Sequence, residues 1–220
     1  MANSVTEYQY DEAWLAYANH VAGSKIVGSL LTFHQSFGWQ YNDEDSEKVA
    51  LEAGTQLLAV MPVLQVGWQK WDGTRPAGDE FGLPAEGYRI PDRASLGDSD
   101  ESTWAPDKEG SPRDPWQETA LLPLVDPKTK KVFTYSTSSW SGRGAVGGLL
   151  KEFAAHVRQK PNELPILTLG SGVKKSRDPE IGRYKVPLLK IVGWTDGKAA
   201  MALLDHQPSG NGGVELDETF

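Results

Sequence analysis

The stretch TALLPLVDPKTKKVFTYSTSSWSGRGAVGGLLKEFAAHVRQK, residues 119–160, decides the fold that the sequence predicts. Residues 119–125 and 131–138 have the composition of two strands, and an Asp-Pro-Lys-Thr turn joins them into a hairpin. Apolar residues then recur at helical spacing over 142–159, and Pro161 ends that pattern. The segment therefore predicts a β-hairpin followed by an amphipathic helix.

Further strands are predicted on both sides of this segment. Apolar, β-branched and aromatic runs bounded by turn residues mark five of them, at residues 24–33, 56–61, 63–71, 164–169 and 183–194. Helical spacing also predicts short helices at 7–21 and 198–204. This order favours an α+β, mainly β fold: an OB-fold-like five-stranded barrel with a helix between strands 3 and 4. Another α+β sheet would produce the same order of elements.

A long stretch between the early and late strands has a different composition. Residues 74–115 are rich in Gly, Pro and acidic side chains and poor in aliphatic ones. We interpret them as a long acidic loop excursion from the barrel, held down by aromatic residues. The predicted organisation is a single globular domain over 1–206, with the excursion at 74–115, and a flexible acidic tail at 207–220.

Composition restricts the classes of protein. The chain has 220 residues, no cysteine and 39% hydrophobic residues, so disulfides and thiolate metal sites are excluded and a sizeable core is expected. The first ten residues lack the features of a signal peptide, and the longest apolar run, residues 57–66, is interrupted by Pro62 and Gln65. We expect a cytoplasmic protein, in the host cytoplasm if it is phage-encoded, with no membrane association.

Charge is strongly segregated along the chain. The net charge is −8, yet residues 128–190 contain 13 Lys or Arg and only 4 Asp or Glu. That region has a net charge of +9, and the remainder of the chain has −17. Such asymmetry indicates a polyanion-binding surface beside an acidic region, although chance clustering on solvated faces would also produce it.

Basic and aromatic residues alternate within this positive region. Single-strand binders combine cations for phosphates with flat side chains on which bases stack. The candidates for phosphate contact are Lys128, Lys130, Lys131, Arg143, Lys174, Lys175, Arg177, Arg183 and Lys185, and those for stacking are Trp68, Tyr135, Trp140 and Tyr184. Strand alternation puts Phe133 on the same face as Tyr135, so both belong either to the core or to a binding platform.

The C-terminal sequence adds a second indication. A Gly-rich spacer precedes Val-Glu-Leu-Asp-Glu-Thr-Phe at residues 214–220. This tail resembles those of bacterial and phage single-stranded DNA-binding proteins, which end in an acidic, Phe-terminated tip. The resemblance implies that Glu215, Asp217, Glu218 and Phe220 recruit replication proteins and compete with DNA for the basic face. A short acidic C-terminus without such a role is also common.

A wider resemblance covers residues 28–194. The motifs at 67–71, 114–117 and 138–147 resemble a family of uncharacterised phage and prophage-associated proteins. That family implies no particular activity. It favours a phage replication or recombination accessory.

Enzyme chemistry has little support in the sequence. The Ser-rich stretch before the helix contains neither a nucleophile elbow nor a phosphate-binding loop. Two clusters of acidic residues, at 43–45 and 98–101, are compatible with the metal site of a Mg²⁺-dependent nuclease. The four histidines show no metal-ligand spacing. We expect a single-stranded DNA-binding protein that is not an enzyme and uses no cofactor or metal, and that is compatible with a homo-oligomer. The alternatives are a phage structural or protein-interaction protein and the nuclease.

Overall fold

The computed structural model describes residues 25–43, 46–107, 110–176 and 182–205. The helix predicted at 7–21 and the tail at 207–220 lie outside the described residues, as does Arg177.

Ten strands and two α-helices form the described part of the chain. The strands are β1 (Ser29–His34), β2 (Gly38–Asn42), β3 (Lys48–Ala50), β4 (Gln56–Ala59), β5 (Gln65–Asp72), β6 (Arg75–Gly82), β7 (Trp116–Val125), β8 (Val132–Thr137), β9 (Glu163–Lys175) and β10 (Arg183–Asp196). The helices are α1 (Trp140–Val157) and α2 (Lys198–Asp205). None of the helices in this part is long and apolar enough to cross a membrane.

All ten strands join one mixed sheet. Its main path runs β10-β9-β4-β7-β8-β1-β2-β3, and β5 and β6 branch from β7. The strands β1 and β8 pair in parallel, and the other pairs are antiparallel. Because β4 and β5 lie one after the other along the same edge of β7, the sheet divides there into two arms.

The predicted five-stranded barrel is wrong. The sheet has ten strands and is not closed in the described residues, and α1 lies between the eighth and ninth strands. One segment that was predicted as a loop became a strand, because β6 belongs to the predicted excursion at 74–115. Residues 35–52, whose composition indicated either an aromatic loop or a short strand, contain β2 and β3. The hairpin and helix of residues 119–160 lie where the sequence predicted them.

Part of the core is formed where α1 packs on the sheet, chiefly against β10 and also against β7 and β9. Val146, Leu149 and Phe153 of α1 are buried, as are Leu122 and Leu124 of β7. A fully buried side chain of this kind contributes about 1.5–3 kcal/mol of apolar transfer free energy. The helix contains four glycines, which lower its intrinsic helix propensity. Burial of its apolar side chains, rather than local propensity, therefore holds α1 in place.

The start of α1 is determined locally. Ser139 is its N-cap, and the Ser139 hydroxyl accepts a hydrogen bond from the Gly142 backbone N–H. The side chain of Trp140, the first helical residue, consequently projects at the end of β8 rather than into the core, and it is 78% exposed.

The sheet is curled so that β2 approaches β9. The Trp39 indole Nε1 donates a hydrogen bond of 2.8 Å to the Gly170 carbonyl oxygen on β9, and the Trp39 ring packs edge-on against Tyr135, with ring centroids 4.8 Å apart. Trp39 is only 3% exposed. The β1–β2 turn is thereby held beside the β9–β10 hairpin.

The acidic stretch at 83–115 folds back onto the β5–β7 arm. Lys70 forms an ion pair of 2.8 Å with Asp98, whose carboxylate also accepts a hydrogen bond of 2.9 Å from the Trp116 indole. Arg93 makes two hydrogen bonds, of 2.7 and 2.8 Å, to the carboxylate of Asp114. The contacts of Asp98 hold the stretch against the sheet, and the Arg93–Asp114 pair joins two parts of the stretch itself.

We expect Asp98→Asn to weaken this docking in a pH-dependent way. The hydrogen bond from Lys70, followed by that from Trp116, lowers the pKa of Asp98. The carboxylate therefore stabilises the folded state above its unfolded pKa of about 3.9, and the contribution is lost as pH falls through the lower folded pKa. Urea unfolding at pH 7 and pH 3 should show a stability deficit for Asp98→Asn at pH 7 that shrinks at pH 3. Asp72→Asn, at the end of β5, is the matched control, and an equal deficit at both pH values would contradict the assignment.

Candidate nucleic-acid interface

The two longest strands extend as a two-stranded ribbon, which we define as residues 170–175 of β9 and 183–188 of β10. Its described side chains include four cations, Lys174, Lys175, Arg183 and Lys185, and no carboxylate. Directly opposite residues of an antiparallel pair share a face. The register pairs Tyr184 with Lys174 and Arg183 with Lys175, so the ribbon has two distinct faces.

One face of the ribbon is turned toward the start of α1. The Lys174 ammonium lies 5.1 Å from the centroid of the Trp140 ring, a cation–π contact. Tyr184, opposite Lys174, lies on the same face. The structure therefore brings together three of the residues that the sequence nominated, although Trp140 is 34 positions away from Lys174 in the chain.

A groove of about 390 Å³ runs between α1 and the ribbon. Trp140 and Lys174 lie at it, Leu188 lines the β10 side, and Gly144 and Gly148 line the helix side. A methyl group added at either glycine would meet nothing within 4 Å. The two glycines leave open space for a flat ring beside the exposed indole, although Glu152 of α1 also lines the groove.

The opposite face of the ribbon is cationic. Arg183, Lys185 and Lys175 lie on it and are exposed. Lys185 also donates a hydrogen bond of 3.2 Å to the Ser36 carbonyl oxygen in the β1–β2 turn, and this contact fixes the ribbon relative to that turn.

The three lysines of the β7–β8 hairpin lie elsewhere. Strand β8 separates them from Trp140, a distance of about 20 Å for its six residues. The Lys131 ammonium lies 4.0 Å from the centroid of the Tyr41 ring, and the Lys130 ammonium donates to the Pro127 carbonyl oxygen. Together with Lys128, they form a second basic group at the other end of β8, and their contact with phosphate stays a prediction.

Tyr135 corrects one of the stacking predictions. It is 1% exposed and belongs to the core, as does Phe133 at 2%, so neither ring is accessible to a base. Burial raises the pKa of the Tyr135 hydroxyl far above its usual value. Phe133 and Tyr135 lie on the same face of β8, as strand alternation predicted, and that face is buried in the core.

Arg143 and Trp68 line a separate cavity of about 350 Å³ with Arg113, Gln117, Glu118, Ser138 and Ser139. No residue of this cavity lines the groove. Arg143 is ion-paired with Glu118, and the Trp68 indole donates a hydrogen bond of 2.9 Å to the Pro91 carbonyl oxygen. Trp68 is half-buried, so both side chains are already engaged within the protein.

The carboxylates proposed for a nuclease are used in other ways. Asp98 binds Lys70 and Trp116, and Asp100 caps a 3-10 turn by accepting a hydrogen bond from the Ser102 backbone N–H. In the described ranges, no group of three or more His, Cys, Asp or Glu side chains is placed to hold a metal ion. Two of the three residues at 43–45 lie outside those ranges, as do Arg177 and the tail residues Glu215, Asp217, Glu218 and Phe220.

One exposed aromatic side chain, Phe37, was not among the candidates for stacking that were predicted from the sequence. Phe37 is 70% exposed at the β1–β2 turn. The sequence contained a signal for this turn, because Gly38 follows Phe37 and apolar residues alternate on both sides, and in the structure Gly38 has a φ of 84°. These features mark the tip of a hairpin, whereas the sequence interpretation left an aromatic loop or a short strand open here.

Comparisons of the chain with protein-family models, with curated proteins and with solved structures found no match.

Proposed function

We propose that this protein binds single-stranded nucleic acid, DNA in the first instance, with the β9–β10 ribbon and Trp140. One observation supports this most strongly: an indole that is 78% exposed lies under a lysine, at the base of a ribbon with four cations and no carboxylate among its described residues. Single-strand binders need both parts, since cations hold the backbone and aromatic rings stack on bases.

The groove between α1 and the ribbon favours a single strand over a duplex. A base can reach Trp140 only if it is unstacked from its neighbours and unpaired, because its flat face must lie on the indole. The exposed apolar side chain of Leu188 offers further contact area to such a base. A duplex presents phosphates to the ribbon but no free base faces.

The biological setting is part of the same proposal. The acidic, Phe-terminated sequence at 214–220 supports a replication or recombination accessory that binds partner proteins through its tail. The resemblance of residues 28–194 to phage-associated proteins supports a phage origin, with the host cytoplasm as location. The protein would act without catalysis, by holding a strand.

The direct test is fluorescence anisotropy with a labelled single strand of about 30 nucleotides, longer than the site sizes of known single-strand-binding modules. We expect binding that is stronger for the single strand than for the matching duplex and that weakens steeply with salt. No binding at low salt would overturn the proposal.

Neutralising cations on the cationic face of the ribbon, opposite the face that carries Lys174, should reduce the salt dependence of binding. In Lys175→Gln/Arg183→Gln, two opposed cations are lost, and each phosphate contact contributes a slope of about −0.7 in log K against log salt. We therefore expect the slope to become shallower by about 1.4. The matched control is Lys128→Gln/Lys130→Gln at the β7–β8 hairpin. If only the control changed the slope, the interface would lie at the hairpin instead.

A second candidate function rests on exposed apolar side chains. Trp140, Val173 and Leu188 are 78%, 66% and 48% exposed, and they all belong to α1 or the ribbon. Such side chains also mark protein–protein contact surfaces. A stable complex with another protein, formed without nucleic acid and lost in Val173→Ser/Leu188→Ser, would favour a structural or interaction protein.

A further inference from the structure

The β1–β2 turn presents a second exposed ring. Phe37 is 70% exposed and stacks on the His34 imidazole, with ring centroids 4.7 Å apart and planes 28° apart. The His34 Nδ1 accepts hydrogen bonds of 3.1 and 3.3 Å from the backbone N–H groups of Ser36 and Phe37. The imidazole is thus fixed by the turn and stacks on the Phe37 ring, most of whose surface is exposed.

The ribbon connects this turn with Trp140. Lys174 and Lys185 project from opposite faces, because Lys185 is adjacent to Tyr184, the residue opposite Lys174. Lys174 lies over Trp140, and Lys185 reaches the Ser36 carbonyl oxygen beside Phe37. Each face of the ribbon therefore has an exposed ring next to a lysine.

Cations mark the path between the two rings. Arg183 and Lys175 lie on the same face as Lys185, toward the free end of the ribbon. A strand that leaves Trp140 and crosses the ribbon would meet these cations before it reaches the β1–β2 turn. Residues 170–175 and 183–188 of the ribbon contain no Asp or Glu.

We propose that Phe37 is a second stacking platform for the same single strand, so that the bound strand crosses the β9–β10 ribbon from Trp140 to Phe37. This inference rests on the proposed function, and it adds the direction of the bound strand and the minimum length of oligonucleotide that contacts both rings. Oligonucleotides too short to reach both rings bind through Trp140 alone. Longer ones gain the Phe37 contact, and His34 is the residue that positions the second ring.

The experiment measures the affinity of thymidine oligonucleotides of increasing length, from about 4 to about 16 nucleotides, for three proteins. For the wild type, we expect affinity to rise sharply at the length that spans both rings. Phe37→Ala should abolish that rise, weakening the longest oligonucleotide roughly five- to hundredfold, the equivalent of one lost base stack. It should leave the shortest oligonucleotide unaffected, whereas Trp140→Ala should weaken all lengths.

Two further variants serve as controls. Phe37→Trp keeps a ring at the turn, so the rise should return, and its indole fluorescence should be quenched only by the long oligonucleotides. Ile90→Ala removes another exposed apolar side chain, which lies outside the ribbon and the turn, and should change nothing. Thermal unfolding of Phe37→Ala should match the wild type, because the ring buries little surface.

The outcomes separate the two proposals. If Trp140→Ala weakens binding and Phe37→Ala leaves every length unchanged, the second platform is overturned and the proposed function stands. If the wild type binds no oligonucleotide, both are overturned. Loss of affinity in Phe37→Ala that is equal at all lengths also contradicts the crossing path.

Discussion

Trp140→Ala is expected to weaken single-strand binding by about 1–3 kcal/mol, the contribution of one base stacked on an aromatic ring. That corresponds to roughly a five- to hundredfold rise in Kd. The ring is 78% exposed and is held by the Lys174 cation–π contact rather than by the core, so its removal should leave the fold intact. Anisotropy titrations at a fixed, low salt concentration measure the effect.

Salt dependence distinguishes stacking from charge. Because Trp140 is neutral, Trp140→Ala should leave the slope of log K against log salt unchanged, whereas Lys174→Gln should make it shallower by about 0.7. Trp140→Phe keeps an aromatic platform and should recover most of the affinity. Unchanged affinity of Trp140→Ala for the single strand, with wild-type binding intact, would exclude the indole from the interface.

The sequence was a reliable guide where structure depends on local pattern. The hairpin at 119–138 and the start of α1 follow from strand alternation, an Asp-Pro turn and a serine N-cap, all of which act within a few residues. Trp140 was nominated for a local reason as well, since it lies among alternating basic and aromatic residues. Its meeting with Lys174 could not be predicted, because strand pairing between β9 and β10 brings that lysine to it.

Strand β6 shows why the fold was mispredicted. Its sequence, RPAGDEFG, combines proline, glycine and acids, which are all depleted in strands. It forms because β5 offers it an edge, and Pro76 is tolerated opposite Trp71, where the register shifts. Such a strand depends on its partner rather than on its own propensity, so neither its existence nor the ten-strand order was visible in the pattern.

Tyr135 shows why the residues of the candidate interface could be predicted only in part from the sequence. Alternation correctly placed Phe133 and Tyr135 on one face, but alternation contains no information about what covers that face. In the structure, Trp39 from β2 packs against Tyr135, and Tyr41 packs against Phe133, with ring centroids 4.8 and 5.1 Å apart. Because residues 35–52 were predicted only as an aromatic loop or short strand with no assigned partner, the side chains that bury this face were absent from the sequence interpretation.

The largest loss of stability is expected from Gly28→Ala, at the residue before β1. Gly28 has a φ of 70°, a conformation that costs a residue with a side chain about 1–2 kcal/mol. A methyl group there would overlap the Val132 carbonyl oxygen and lie 2.6 Å from the carbonyl carbon and 2.9 Å from the Val132 Cβ. Since β1 pairs with β8 immediately beyond this point, the backbone cannot move away without opening that pairing.

The two penalties should therefore add for Gly28→Ala. Overpacking against backbone typically costs a further 1–3 kcal/mol, so we expect a loss of about 3 kcal/mol or more in the free energy of unfolding. Gly54→Ala is the matched control, because Gly54 also has a positive φ, of 94°, but nothing within 4 Å of an added methyl group. Urea unfolding should show only the conformational cost for Gly54→Ala. Equal losses in the two variants would mean that the contact with Val132 does not constrain β1, and the parallel β1–β8 pairing would then have to be flexible enough to absorb a side chain.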